Sequence, residues 1–152
     1  GKTTIHRECN PVRYHSMSLS SDERNELIYH RLQKSRQTKK EAELLFENSM
    51  LSASINRIYY SMFHALSALA LADNFTTGKH GQLIGWFNRN YIKNGKINTR
   101  YSKIIARAFN KRMDSDYEDF TDFTESEVNE LMSNANEFLS MIEGIIKNKT
   151  DL

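Results

Sequence analysis

Residues 52–72, SASINRIYYSMFHALSALALA, form the most apolar run in the chain and constrain its fold more than any other stretch. Polar residues precede the run and Asp73-Asn74 follow it. Projected at about 100° per residue, Ile55, Ile58, Tyr59, Met62, Phe63, Leu66, Leu69 and Ala70 spread over most of a helix circumference. The larger polar side chains do not scatter: Asn56, Arg57, Tyr60, Ser61, His64 and Ser67 fall within an arc of about 140°. A helix so apolar belongs at the centre of a bundle, and its narrow polar stripe must face groups that satisfy it.

Arg57 and His64 are the informative pair in that stripe. Their spacing is close to two helical turns, so they point the same way, about 10 Å apart along the axis. A guanidinium stays charged and can clamp a phosphate, and an imidazole can move a proton near neutral pH. Together they make a minimal kit for cleaving a phosphodiester without a metal. The same spacing also suits a structural role, with Arg57 on a carboxylate from another helix and His64 a satisfied interior histidine. Spacing alone leaves both readings open.

The chain around this helix reads as one all-α domain, an up-and-down bundle of about five to six helices. Its 152 residues with 39% hydrophobic content are enough for a real core. One Pro and six Gly leave few breakers in a chain rich in Leu, Ala, Glu, Lys, Arg and Met. Ser20-Ser21-Asp22-Glu23 makes a capping box that predicts a first helix to about Arg36. Thr38-Lys39-Lys40-Glu41 repeats the device and predicts a second helix to about Glu47, with a short break at Asn48-Ser49 before the central one. Further helices are predicted near Lys79–Tyr91 and, capped by Asn98, near Thr99–Lys111, with an Asn94-Gly95 turn between them. An acidic loop from Asp114 to Phe123 follows, its Tyr117, Phe120 and Phe123 expected to pin it to the bundle. Thr124-Glu125-Ser126-Glu127 is a third capping box, opening a last helix to about Lys147.

The domain is expected over 19–148, with a frayed tail at 149–152. Residues 1–18, which hold the only Pro and the only Cys, show no period and read as a flexible leader or expression remnant, with Met17 a candidate start. The single cysteine, Cys9, excludes an internal disulfide framework and fits a reducing cytoplasm. No transmembrane span or signal peptide is predicted, and the His residues show no metal-ligand spacing.

A net charge of +2 hides a segregation. From Asn74 to Met113 there are nine Lys and Arg and no Asp or Glu; from Asp114 to Ile146 there are ten Asp and Glu and no Lys or Arg. The basic block either meets RNA phosphate, with Trp86, Phe87, Tyr91 and Tyr101 stacking on bases, or it pairs with the acidic block while those aromatics build the core.

The stretch Asn-Arg-Ile-Tyr-Tyr-Ser-Met-Phe-His-Ala, residues 56–65, resembles the central helix of the HEPN family, marked by an Arg, four to six residues, then a His. Lys79-His80-Gly81 before Leu83-Ile84-Gly85-Trp86-Phe87, Arg112 followed by Asp116-Tyr117, and the acidic final helix agree with the small stand-alone branch. The resemblance spans about Asp22 to Ile146. It implies a metal-independent endoribonuclease without a cofactor, acting as a homodimer, in which the ribose 2′-hydroxyl attacks the adjacent phosphate. Arg57 would stabilise the phosphorane and His64 would carry the proton. It further implies the toxin half of a toxin–antitoxin pair, with a small nucleotidyltransferase-like antitoxin as partner. Leu66 stands where one branch of the family has a Tyr, which counts against regulation by nucleotide transfer onto that position.

Four more residues are candidates for substrate contact. Asn56 and Tyr60 share the stripe and are placed to orient Arg57 or touch a base or phosphate. Lys79 and His80 fall at a predicted helix start, where anions bind readily. Arg112 with Asp116 and Tyr117 reads as a structural hydrogen-bonded corner. The rival reading of the whole chain is a non-catalytic nucleotide- or RNA-binding or dimerisation module that partners a nucleotidyltransferase.

Overall fold

A computed structural model describes residues 19–117 and 122–150. Among these the chain forms five α-helices and one π-helical turn: α1 Ser21–Glu47, α2 Leu51–Ala72, α3 His80–Phe87, the π turn Asn88–Ile92, α4 Arg100–Ser115 and α5 Glu125–Lys149. The all-α bundle expected from the sequence is what is found, and α2 packs against each of the other four helices. Ile58, Tyr59, Met62, Ala65, Leu66 and Leu69 of α2 are fully buried there. The predicted leader, with Cys9 and Met17, and Phe120 of the acidic loop lie outside the described residues.

The predicted break at Thr38 is not there. The first helix runs unbroken through it, and Thr38 is buried, its hydroxyl donating to the Lys34 carbonyl at 2.7 Å. A Thr-x-x-Glu pattern caps a helix only where the backbone before it is non-helical. Here every residue from Arg36 to Glu41 tolerates helix, and the hydroxyl bonds one turn back instead. The two other boxes behave as read. Ser20 accepts the Glu23 amide at 3.1 Å, Thr124 accepts the Glu127 amide at 3.1 Å, and both glutamates reach back to the cap.

The expected break at Asn48-Ser49 is a Schellman turn. Ser49 takes φ 58°, its amide donates to Phe46 O at 3.0 Å, and the Met50 amide donates to Leu45 O at 2.9 Å. The end of α2 repeats the arrangement. Asn74 takes φ 62°, its amide bonds Leu71 O, and the Phe75 amide bonds Ala70 O. Phe75 then stacks on Trp86 at 5.5 Å.

Small residues let α1 and α2 approach closely. Ser35 donates to Ser61 O at 2.7 Å, Ser54 donates to Ala42 O at 2.8 Å, and all four residues are buried. The stripe read from the sequence therefore splits: Ser61 faces α1, and Ser67 O accepts from Arg31 at 3.1 Å. Asn56, Arg57, Tyr60 and His64 remain half-buried on the outer side.

Leu83, Trp86, Phe87 and Tyr91 are buried core, so these rings are not a platform for bases. Tyr91 donates to Asp73 at 2.5 Å from the π turn, and Asp73 also meets Lys149 at 2.9 Å, which holds the end of α5. Gly95 takes φ 79° in the predicted turn, and Asn98 Oδ1 accepts the Arg100 amide at 2.8 Å as expected of a cap. The charge blocks meet within the chain: Arg100 pairs with Glu137, Arg107 with Glu130, and Lys111 with Glu127, all between α4 and α5. Phe123 packs on the core, as predicted of the acidic loop, while Tyr117 is 66% exposed.

Candidate functional site

The outer face of α2 forms the floor of a shallow polar site, with α1 along one side and α3 and α4 along the other. Arg57 is fixed by two partners. Its Nε and Nη2 donate to Asn56 Oδ1 at 3.0 and 2.7 Å, and Nη1 stands 3.6 Å from Glu41 of α1. Its guanidinium carbon also lies 5.3 Å from the centre of the Tyr60 ring. Asn56 thus orients Arg57, one of the roles read for it from the sequence. Glu41 supplies the carboxylate that the structural reading of Arg57 required.

His64 does not fit the structural reading. Among the described residues neither ring nitrogen is hydrogen-bonded, and neither is sealed from solvent. The ring lies 6.1 Å from Tyr60 and 6.0 Å from Phe63. Burial, together with Lys34, Arg57 and Arg31 nearby, pushes its pKa down to about 4, against a smaller opposing pull from Glu41. The imidazole is therefore neutral at physiological pH, with a lone pair available to take a proton. Arg57 and His64 both lie beside the Tyr60 ring, 5.3 and 6.1 Å from its centre.

That ring gathers more than α2 alone could supply. His80, at the first turn of α3, stacks on Phe63 with centres 4.2 Å apart and meets the Tyr60 ring edge-on at 5.6 Å. Its Nδ1 is 2.7 Å from the Tyr59 hydroxyl. Burial holds the Tyr59 phenol well above its ordinary range, so it keeps its proton. Burial and then Arg112 lower His80, so its ring is neutral at physiological pH. His80 is thus part of an aromatic cluster and not a solvated loop residue. Lys79 precedes it and its side chain is exposed.

Arg112 departs from the corner predicted for it. Its Nη2 donates to the Tyr60 hydroxyl at 3.3 Å. The guanidinium carbon lies 5.7 and 5.5 Å from the Tyr59 and Tyr60 ring centres. The corner at the end of α4 is made by Ser115, which donates to Arg112 O at 2.6 Å and accepts at its own carbonyl from Ser52 at 3.1 Å. The site therefore holds two guanidiniums and two neutral imidazoles around Tyr60. Sequence reasoning found Arg57, His64, Asn56, Tyr60 and His80 but assigned Arg112 elsewhere; an arginine in the last turn of a helix gives no local sign of which neighbour it will meet.

Among the described residues, no group of three or more His, Cys, Asp or Glu is placed to hold a metal ion, and no helix is long and apolar enough to cross a membrane.

Comparison with known proteins finds relatives over most of the chain. A UPF0332 protein of Thermotoga maritima is 34% identical over 126 residues, covering 83% of this chain and 96% of that protein. "Putative toxin MJ0605" of Methanocaldococcus jannaschii is 34% identical over 107 residues, 70% of this chain and 78% of its own. A second protein of that organism, "Putative toxin MJ0142", is 26% identical over 121 residues, covering 80% and 82%. The HEPN domain family matches residues 28–145, a span that contains all of α2, α3 and α4. Matched over most of its length and built as a helical bundle, the chain belongs to the HEPN family.

Proposed function

We propose that the protein is a metal-independent endoribonuclease, acting as a homodimer and serving as the toxin of a toxin–antitoxin pair. The observation that carries the reading is His64: a neutral imidazole with unengaged ring nitrogens, sharing the Tyr60 ring as a neighbour with a fixed guanidinium. In the proposed reaction His64 removes the proton from a ribose 2′-hydroxyl as that oxygen bonds to the adjacent phosphorus. Arg57 takes up the negative charge that builds on the phosphorane oxygens. The bond from phosphorus to the 5′-oxygen breaks and that oxygen receives a proton, leaving a 2′,3′-cyclic phosphate and a 5′-hydroxyl. Apposed sites from two copies would supply a second imidazole, protonated beside the bound phosphate, as the acid. The names of the archaeal relatives support the toxin role, and a small nucleotidyltransferase-like antitoxin is the proposed partner.

The second reading, a non-catalytic RNA- or nucleotide-binding module, is favoured by the Glu41–Arg57 contact, which occupies the cation a phosphate would need. Labelled RNA incubated in EDTA separates the two. Catalysis predicts cleavage products ending in cyclic phosphate for the wild type, and a loss of at least about a hundredfold in both Arg57→Ala and His64→Ala. RNA retained without cleavage by the wild type would establish the module.

A further inference from the structure

Arg112 is the least satisfied cation in the site. Its Nε is buried and has no hydrogen-bond partner. Among the described residues no carboxylate lies within ion-pair distance of it, whereas Arg100, Arg107 and Lys111 of the same helix each hold a glutamate of α5. A half-buried guanidinium gives up hydration, and contact with the Tyr59 and Tyr60 rings returns only part of that cost. An anion would return the rest.

The surroundings hold Arg112 for that purpose. Tyr60 accepts one of its N–H groups, which leaves the phenol proton free to donate in turn. Tyr59 is tied to His80 Nδ1, so it does not compete for the guanidinium. The His80 ring is stacked on Phe63, has Nδ1 engaged by Tyr59, and lies beside the Tyr60 ring. Arg57 has Glu41 and Asn56, whereas Arg112 has only a neutral phenol.

We propose that Arg112 is a second phosphate-gripping cation of the Arg57/His64 site, held in place by Tyr60 and by the Tyr59–His80 pair. The inference rests on the reading of this site as RNA-binding. The chain then meets the RNA backbone with two guanidiniums from one subunit, one on α2 and one on α4. A phosphate next to the scissile one is the natural occupant of the second.

The test measures binding of a short fluorescein-labelled single-stranded oligonucleotide with 2′-O-methyl riboses, which cannot be cleaved. Wild type, Arg112→Gln, Arg112→Met and Arg57→Met are titrated across a range of salt, and the fold of each is checked by circular dichroism and thermal melting. Arg112→Met fills the same slot with an uncharged chain, so one folded variant remains if the Gln form does not fold. Loss of one phosphate contact makes the slope of log K against log salt shallower by about 0.7, with affinity at low salt down about tenfold. That change in a folded Arg112 variant is the expected result. A slope equal to wild type in folded Arg112 variants, while Arg57→Met flattens it, overturns the assignment of Arg112 alone. Absence of salt-dependent binding by the wild type overturns the RNA reading and this proposal with it.

Discussion

Tyr60 answers to four neighbours at once: Arg57 over its face, Arg112 at its hydroxyl, and the His64 and His80 rings about 6 Å from its centre. Two of these come from its own helix and were legible as a stripe, because a period of 3.6 fixes which residues of one helix share a side. The other two come from α3 and α4, and no spacing rule links residue 60 to residues 80 and 112. His64 has a consequence that titration can read. Its folded pKa, about 4, lies below the ordinary histidine value of 6.5, so between those pH values the unfolded chain binds the extra proton. Stability is therefore full above about pH 6.5 and falls as pH drops toward 4. With allowance for partial exposure the loss is about 1–2 kcal/mol. Urea denaturation at pH 7 and pH 4 should show wild type losing that much relative to His64→Asn, in which the titrating group is gone. A difference between the two proteins that does not change with pH would remove the burial assigned to His64.

At the level of the helices, the sequence marked starts well where a polar cap stands beside extended backbone, and misled where the same letters fell inside a continuous helix. Ser20 and Thr124 cap; Thr38, with the same pattern after it, does not. The π turn at Asn88–Ile92 had no sign in composition, since it goes with a bond from Tyr91 to Asp73, a partner on another element. Ser49 was legible as a break but not as a Schellman position. A serine there pays for a left-handed backbone that glycine adopts freely. Ser49→Gly should raise the unfolding free energy by about 0.5–1 kcal/mol, after the added freedom of the unfolded chain is allowed for. Denaturant titration with an unchanged m-value checks this. A loss of stability would mean that the serine side chain contributes something that backbone geometry does not reveal.

Across the whole molecule, the two charge blocks give a near-neutral sum with strong local fields, and they meet side by side on α4 and α5. The sequence left open whether the basic block meets RNA or its own acidic neighbour; for Arg100, Arg107 and Lys111 the neighbour wins. Two of these pairs are exposed and Lys111–Glu127 is half-buried; pairs so open to solvent contribute little and are screened by salt. Raising sodium chloride from about 0.05 M to about 0.5 M should lower the unfolding free energy by less than about 1 kcal/mol. A fall of several kcal/mol in urea titrations at the two salts would show that the pairs, and not the α2-centred core, hold α5 in place.

Only the short Asn48–Met50 link separates α1 from α2, and the two lie together along their length. Contacts between near neighbours in sequence form quickly, since little chain entropy is spent in closing them. A ribosome that has released residue 72 has already delivered this hairpin, with Arg57 and His64 on it, well before α5 emerges to cover its apolar side. His80 and Arg112 arrive later in synthesis, so the cluster around Tyr60 is completed only as α3 and α4 dock.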